Sequence, residues 1–343
     1  MAESPQFETL VQSLSSTLQS LEQKRKELKK QGHSTGTWAG GIVFVIGIAF
    51  SLYINVALIG IGIAAGIALL IYYSCVNAKS QELSSYYKKE VIAQILQSFC
   101  ENAVFTPEEG IKESTFRNCA LFTSPDRYHT EDLIQGRVGK TDFCCAEIHA
   151  EERKTRVNSK GQTSHYWVDI FKGFFFIADF QKDFQGHTTI LRNSLFKLSS
   201  SGSRVKLENP DFEKTFDVYS TDQIEARYLL SPSMMERLLA LDREFNRNIT
   251  ISFRDSNILI AIPESRNHFE ASIWKPMDDL SQLKNDFSMI HALVSIVEDL
   301  NLNTRIWSKN KNESAETEPI LYVGLNRGLI DTSIELLQLK SPR

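Results

Sequence analysis

Charge is missing from one long part of this sequence: residues 31–78 contain no Asp, Glu, Lys or Arg. Within that part, residues 36–73 form an almost unbroken apolar run. A helix needs roughly 20 residues to cross a hydrocarbon core about 30 Å thick. The run is about twice that length. We therefore predict a transmembrane hairpin over residues 35–74, with helices at Thr37–Leu52 and Val56–Tyr73 and a turn at Asn55.

Two other structures can produce a long apolar run. A signal peptide has a short apolar core close to the N-terminus, whereas about thirty mostly polar residues come first here. A buried helical hairpin of a soluble protein seldom lacks a polar face on every side. We therefore favour the transmembrane hairpin over both alternatives.

Known catalytic and metal-binding motifs are also missing. The sequence has no GxxxxGK[ST], GxSxG or HExxH motif and no paired Cys/His ligand spacing. If a long β-hairpin turns near Lys160, His149 lies opposite about residue 170 and not opposite His165, so these strands should not form a metal-binding pair. We predict no catalytic residue, no metal site and no cofactor, and we keep an enzyme of unrecognised class as an alternative.

The charge balance and the cysteines narrow the class of protein further. The net charge is −4, and no Lys/Arg stripe alternates with aromatic residues, so nucleic acid is not an expected partner. The five cysteines are odd in number and lack CxxC spacing, which favours reduced thiols in a cytosolic compartment.

Basic residues flank the apolar run on both sides. They are Lys24, Arg25, Lys26, Lys29 and Lys30 before it, and Lys79, Lys88 and Lys89 after it. Because basic flanks stay on the cytoplasmic side of a membrane, both termini are predicted to be cytosolic.

Small residues within the run are spaced for close contact between helices. Gly62 and Gly66 form a GxxxG motif, Gly60 and Ala64 repeat its spacing, and Gly47 and Ser51 offer a partner surface on the first helix. Helices in lipid associate through such residues because their backbones can approach closely. The contact can lie within the hairpin or between protomers.

The residues before the apolar run, 1–31, predict an amphipathic helix. Apolar side chains recur there in alternating steps of four and three, with Arg25 at one polar position. They are Phe7, Val11, Leu14, Leu18, Leu21 and Leu28. This stripe is typical of a short coiled coil. The alternative is a single helix packed on the rest of the same chain.

The residues after the run predict an α+β fold, with an antiparallel sheet and flanking helices. We expect a cytosolic domain over residues 79–307, followed by a polar linker and tail at 308–343. Arg137–His149 and His165–Ile177 predict a long antiparallel hairpin. Ile249–Phe253 and Ile258–Ile262 predict a second hairpin, and periodic apolar residues from Leu280 to Val297 predict a long helix.

An aromatic-rich segment lies in the second strand of the long hairpin. Its apolar run from Phe171 to Phe180 is typical of a buried central strand. The alternative is a ligand pocket near the bilayer surface, for which Trp167, Phe174 and Phe176 are the candidate lining residues.

The order of several short segments resembles a known family. These segments are Tyr128…Glu131-Asp132…Gly136, Phe171-Lys172-Gly173-Phe174-Phe175, Asp222…Glu225-Ala226-Arg227-Tyr228-Leu229-Leu230-Ser231-Pro232 and Leu300-Asn301-Leu302-Asn303-Thr304-Arg305-Ile306-Trp307. With the hairpin, they resemble bacterial membrane proteins grouped as domain-of-unknown-function family 3137, over about residues 10–307. The resemblance implies a cytosolic α+β domain tethered to the bacterial inner membrane, and it implies no activity.

These observations favour a non-enzymatic interaction or scaffold module held at the lipid bilayer. We expect it to self-associate as a homo-oligomer or to bind a membrane-associated protein, with no nucleic acid as partner. The first alternative is a ligand- or lipid-sensing domain at the membrane surface, and the second is an enzyme of unrecognised class.

Overall fold

The structure, a computed structural model, describes residues 5–53, 57–100, 102–180, 184–193 and 202–302. Two compact units make up this part of the chain. The first contains the described residues up to Cys100 together with Asn267–His291, and the second contains the described residues between Asn102 and Arg266 and those from Ala292 to Leu302. The chain is thus an α+β protein with an antiparallel sheet, as predicted.

Two long helices dominate the first unit. Helix α1 spans Pro5–Tyr53, and α2 spans Ala57–Tyr87. The N-terminal amphipathic segment and the first apolar segment therefore form one helix, about 70 Å long. After α2 come a π-helical turn at Lys88–Ile92 and helix α3 at Ala93–Phe99. The predicted turn at Asn55 lies outside the described residues.

The apolar stripe of the N-terminal helix is buried within the first unit. Leu14, Leu21 and Leu28 are each at most 3% exposed. The ring of Phe7 meets that of Phe287 edge to face, with 5.3 Å between centroids. The stripe therefore packs on its own chain, which was the alternative to a coiled coil. This packing covers the surface that a coiled coil would need.

The second unit contains a nine-stranded sheet in which every neighbouring pair is antiparallel. The strands are β1 (Val104–Thr106), β2 (Arg127–Val138), β3 (Thr141–Val157), β4 (Thr163–Asp179), β5 (Thr188–Arg192), β6 (Ser203–Val205), β7 (Phe216–Ser220), β8 (Thr250–Arg254) and β9 (Asn257–Pro263). Their order across the sheet is β1-β2-β3-β4-β9-β8-β5-β7-β6.

Five further helices accompany these strands along the chain. They are α4 (Glu113–Asn118), α5 (Pro210–Thr215), α6 (Gln223–Leu229), α7 (Pro232–Phe245) and α8 (Ser281–Asp299). The predicted helix between Leu280 and Val297 is α8. The predicted hairpin around residues 255–257 joins β8 to β9.

The long hairpin is formed by β3 and β4, as predicted. Its turn is closed by the Asn158 side chain, which accepts hydrogen bonds from the backbone N–H groups of Lys160 and Gln162. One boundary differs from the prediction: Arg137 lies in β2 and pairs with Asp142 of β3. Strand β2 was not predicted because its polar side chains hide the alternation typical of a strand.

The second half of strand β4, from Phe171 onwards, is buried on both faces, as predicted for a central strand. Phe174, Phe175 and Phe176 are each 0% exposed. The Phe175 ring packs edge to face on Phe116, and the Phe176 ring stacks on Phe143 on the other face of the sheet. Consecutive large side chains are tolerated here because alternate residues of a strand point to opposite faces.

Gly173 is required by the backbone of β4. Its φ of +146° lies in a region that residues with side chains rarely adopt. A Cβ at this position would also overlap the carbonyl oxygen of Ile262 in the neighbouring strand β9. Gly161, in the hairpin turn, has a φ of +77° but open space around it.

We therefore expect Gly173→Ala to destabilise the protein more than Gly161→Ala does. Both changes place Ala at positive φ, which costs about 1–2 kcal/mol. Only Gly173→Ala adds an overlap inside the sheet, worth about 1–3 kcal/mol more. The measurement is the free energy of unfolding of each full-length variant by chemical denaturation. Equal losses in the two variants would contradict the close approach of β4 to β9.

Candidate functional site

The apolar parts of α1 and α2 expose large side chains. Trp38, Val45 and Phe50 of α1 are between 62% and 73% exposed, and Ile59 and Leu70 of α2 are both 71% exposed. In the most apolar 18-residue stretch of the first helix, only 17% is buried. In the corresponding stretch of the second helix, 11% is buried. By length and composition, both helices could cross a membrane.

The two helices touch along a line of small residues. A Cβ at Gly36 would lie 2.9 Å from the ring of Tyr72, and one at Gly40 would lie 2.9 Å from the carbonyl oxygen of Ala68. Farther along, Gly32 lies against Val76. Larger side chains at these glycines would push the two helices apart.

Four of the six predicted packing residues lie on this line. Gly47 lies against Ala64, and Gly60 lies against Ser51. Gly62 and Gly66 instead face open space, so their GxxxG motif does not contribute to the hairpin. The prediction did not include Gly32, Gly36 and Gly40, although their spacing of four is visible in the sequence, because it rested on small residues deeper in the apolar run.

A loop at residues 267–280, in the first unit, is held against α1 by a partly buried ion pair. Arg25, only 7% exposed, donates two hydrogen bonds to Glu22, at 2.8 and 2.7 Å. It also donates to the carbonyl oxygen of Ile273 at 2.9 Å, and Glu22 accepts from the backbone N–H of Met277 at 3.0 Å. The polar residue in the apolar stripe therefore binds the backbone of the loop.

The same loop is tied to the end of α2. Lys88, at the start of the π-helical turn, forms an ion pair with Glu270 at 2.8 Å. Ser84 donates to the other oxygen of that carboxylate. The buried carboxylate of Asp286 accepts from the Tyr87 hydroxyl at 2.9 Å and from the backbone N–H of Phe269 at 3.2 Å.

The Tyr87 hydroxyl is held in its neutral form. Burial raises the pKa of Tyr87 well above its ordinary value, and the nearby Asp286 carboxylate raises it further. Tyr87 is therefore a hydrogen-bond donor across the ordinary pH range.

A π-helical turn is often found at functional sites, and this one adjoins the group of side chains that binds the loop.

Trp274 is the exposed aromatic residue of the loop, at 53% exposure. Its ring lies 5.6 Å from that of His33, and the Lys29 ammonium lies 5.1 Å from its centroid. His33 Nδ1 in turn lies 2.5 Å from the hydroxyl of Tyr72, and the Tyr72 and Tyr73 rings are 5.6 Å apart. These residues form a continuous aromatic cluster in the first unit.

The three candidate pocket residues do not lie together. Trp167 is 36% exposed, and the Arg127 guanidinium lies 3.6 Å above its ring. Phe174 and Phe176 are fully buried in the middle of β4. Trp167 and Phe174 are seven positions apart along the extended strand, which corresponds to about 20 Å.

One group of side chains on the sheet has the spacing of a metal site. Ligand atoms of His149, Glu151 and Asp169 lie within 4.8 Å of one another. His149 pairs with Lys172 across the strands but reaches Asp169, with 2.8 Å between Nε2 and Oδ1. Arg127 lies 3.8 Å from the Glu151 carboxylate. Ion pairs and hydrogen bonds account for this group without a metal.

The comparison with protein families gives one match. The profile of a family described as "Protein of unknown function (DUF3137)" matches residues 169–302. This match confirms the resemblance to domain-of-unknown-function family 3137 over those residues, and it adds no activity.

Comparisons with individual proteins add little. None of the curated proteins matches this chain. One solved structure, that of the mycobacterial trehalose monomycolate transport factor A, TtfA, is similar over 61% of this chain and 95% of its own. The sequence identity is 8% and the TM-score is 0.31.

The ion pair in α1 predicts a specific pH dependence. Hydrogen bonds from Arg25 lower the pKa of Glu22 from 4.5 to about 2, although burial acts in the opposite direction. A carboxylate with a lowered pKa contributes stability above its unfolded-state pKa, and this contribution is lost as the pH falls through the folded-state value. We expect Glu22→Gln to lose about 1–2 kcal/mol of unfolding free energy at pH 7. The difference from the unsubstituted protein should shrink between pH 4.5 and about 2.

Glu27→Gln is the matched control, because Glu27 is exposed on the same helix and accepts only a longer hydrogen bond from Gln31, at 3.0 Å, among the contacts described for it. Chemical denaturation at a series of pH values measures both variants. Identical pH profiles for Glu22→Gln and Glu27→Gln would contradict the assignment.

Proposed function

We propose that this chain, which matches domain-of-unknown-function family 3137 over residues 169–302, is an interaction module tethered to a membrane. In this proposal, the apolar parts of α1 and α2 cross the bacterial inner membrane as a hairpin. Both termini and the nine-stranded sheet are then cytosolic. The sheet and its helices act as a scaffold that presents binding surfaces to proteins at the membrane.

The observation that carries the proposal is the exposure of the apolar helices. A core helix of a soluble protein is mostly buried, whereas only 17% and 11% of the most apolar 18-residue stretches of these two helices are buried. An exposed apolar surface of this length is unfavourable in water and favourable in hydrocarbon. A cleaved signal sequence would not account for the second helix, which packs against the first.

Aromatic residues at both ends of the apolar part support the same arrangement. Trp38 is 73% exposed, and Tyr53, at the other end of α1, is 84% exposed. The two residues are fifteen positions apart, which corresponds to about 22 Å of helix. Tyr73 of α2 is exposed at the Trp38 end. Trp and Tyr are enriched near both membrane–water interfaces, and a spacing of about 22 Å places these two rings about 4 Å inside the ends of a hydrocarbon core about 30 Å thick.

Basic residues support the orientation. Lys26 and Lys30 are exposed on α1, and Lys89 is exposed after α2, at the same end of the hairpin. Positive residues are retained in cytoplasmic segments. A ligand-sensing pocket at Trp167, Phe174 and Phe176 has no comparable support, because about 20 Å separates Trp167 from the two phenylalanines.

Labelling of cysteines tests the topology. The native cysteines are poor reporters, because Cys119, Cys144 and Cys145 are buried, and burial raises the pKa of Cys119 to about 11 and that of Cys144 to about 12. We therefore choose Asn55→Cys and Lys160→Cys, each with Cys75→Ser. Lys160 is exposed in the β3–β4 turn.

In intact cells, with the outer membrane made permeable, Asn55→Cys should react with a membrane-impermeant maleimide. Lys160→Cys should react only after the inner membrane is opened. Reaction of Lys160→Cys in intact cells would contradict the proposed orientation. Absence of reaction at both sites until the membrane is opened would contradict the crossing.

Self-association is a further part of the proposal. The stripe at residues 7–28 is buried within its own chain, so we place the contact between copies on α2, where Gly62 and Gly66 face open space. Chemical crosslinking in membranes should give a dimer, and Gly62→Leu with Gly66→Leu should remove it. Gly41→Leu is the control, because Gly41 also faces open space but lies on α1. An uncrosslinked monomer for the unsubstituted protein would contradict self-association.

A further inference from the structure

We propose that the 267–280 loop is a third membrane-contacting element, in which Trp274 lies among lipid headgroups and nearby lysines bind anionic headgroups. This inference rests on the proposed membrane hairpin and adds a lipid-binding surface to it. All the residues concerned belong to the first unit.

The position of the loop along α1 supports this proposal. The middle of the segment between Trp38 and Tyr53 lies near residue 45. A half-thickness of about 15 Å corresponds to about ten residues of helix, so the hydrocarbon ends near residue 35. The headgroup region adds about 5–7 Å on each side, which corresponds to about residues 30–35. His33 lies in this range, and the Trp274 ring lies 5.6 Å from His33.

The loop is oriented along the helix by its hydrogen bonds. Met277 is bound by Glu22 and Ile273 by Arg25, whereas Trp274 lies beside Lys29 and His33. Glu22 is about 10 Å farther from the membrane than Lys29 along the helix. The Trp274 side of the loop therefore points towards the bilayer, and the Met277 side points away from it.

The charges of the loop follow the same direction. Lys275 is exposed directly after Trp274, and Lys30 is exposed on α1 beside Lys29. The exposed acidic residues Asp278 and Asp279 follow Met277, on the side away from the membrane. This separation of charge fits an anionic bilayer surface, which attracts lysines near it and repels carboxylates.

The exposed indole of Trp274 is also more favourable at a membrane–water interface than in water. Trp274 leaves 53% of its surface exposed although the loop around it is fixed by hydrogen bonds from Arg25 to Ile273 and from Met277 to Glu22. An indole has an apolar body and one N–H donor, so it is favoured where hydrocarbon meets hydrated headgroups. A fixed backbone holds the ring at one depth instead of letting it fold back onto the protein.

Quenching of tryptophan fluorescence tests the proposal. Two full-length variants each keep one of the four tryptophans and carry Phe at the other three positions: one keeps Trp274 and one keeps Trp38. Both are reconstituted in nanodiscs of phosphatidylcholine brominated close to the headgroup, and in the unbrominated lipid. We expect a loss of emission from Trp274 and from Trp38 in the brominated lipid.

The two variants separate this inference from the proposed function. Quenching of Trp38 without quenching of Trp274 would overturn the third contact and leave the hairpin intact. Absence of quenching in both would contradict the hairpin itself. If the triple substitution prevents folding, a nitroxide attached to Trp274→Cys, with Cys75→Ser, measures the depth through its accessibility to oxygen and to a nickel chelate.

The anionic lipid is tested with phosphatidylglycerol. Replacing part of the phosphatidylcholine should shift Trp274 emission to shorter wavelength, and Lys29→Gln with Lys275→Gln should remove that shift. Lys160→Gln, in the exposed β3–β4 turn, is the control and should keep it. Equal Trp274 spectra in the two lipids would overturn the assignment of anionic headgroups.

Discussion

The two long helices of the first unit can lie in contact only because side chains are missing where they meet. Gly36 faces Tyr72, Gly40 faces Ala68, and Gly60 faces Ser51, each without room for a Cβ. This close approach sets the pairing of α1 with α2 from Gly32 to the end of α1. The side chains that bind the 267–280 loop come from both helices, Arg25 from α1 and Lys88 from α2. The loop can be held from both sides only if the helices keep this separation, so the arrangement of the first unit depends on the glycines.

Charged side chains fix the position of an irregular segment of the first unit. The 267–280 loop contains no helix or strand, so its backbone N–H and C=O groups need partners from elsewhere. Arg25, Glu22 and Asp286 provide them. A buried ion pair gains little free energy over an apolar contact, but removal of one partner is costly because the other charge stays buried. We therefore interpret these pairs as determinants of the loop's position and not as a general source of stability.

The sequence predicted the regular elements that have strong local patterns. The β3–β4 hairpin, the buried aromatic strand β4, the β8–β9 hairpin and α8 all occur where periodicity and turn residues indicated them. Strand β2 was not predicted because charged and polar residues interrupt the alternation of apolar and polar side chains. In the structure it nevertheless pairs with β3. Small-residue spacing selected Gly47 and Gly60 as packing residues, but their individual partners, Ala64 and Ser51, come from the structure. By contrast, that spacing could not distinguish these glycines from Gly62 and Gly66, because a pattern along one helix does not specify which face meets another helix.

By itself, the sequence determined the apolar length of two helices, the basic residues that flank them and the antiparallel character of the sheet. Each of these follows from interactions between near neighbours or from composition, which a single chain displays directly. Only the tertiary structure decided that residues 267–291 group with the N-terminal helices, that Arg25 binds Ile273 and that Trp274 lies beside His33. The contacts of Arg25 and Trp274 join residues more than 200 positions apart, and each depends on where the chain between the two residues places its ends. No local pattern contains that information, because it arises from the packing of the whole fold.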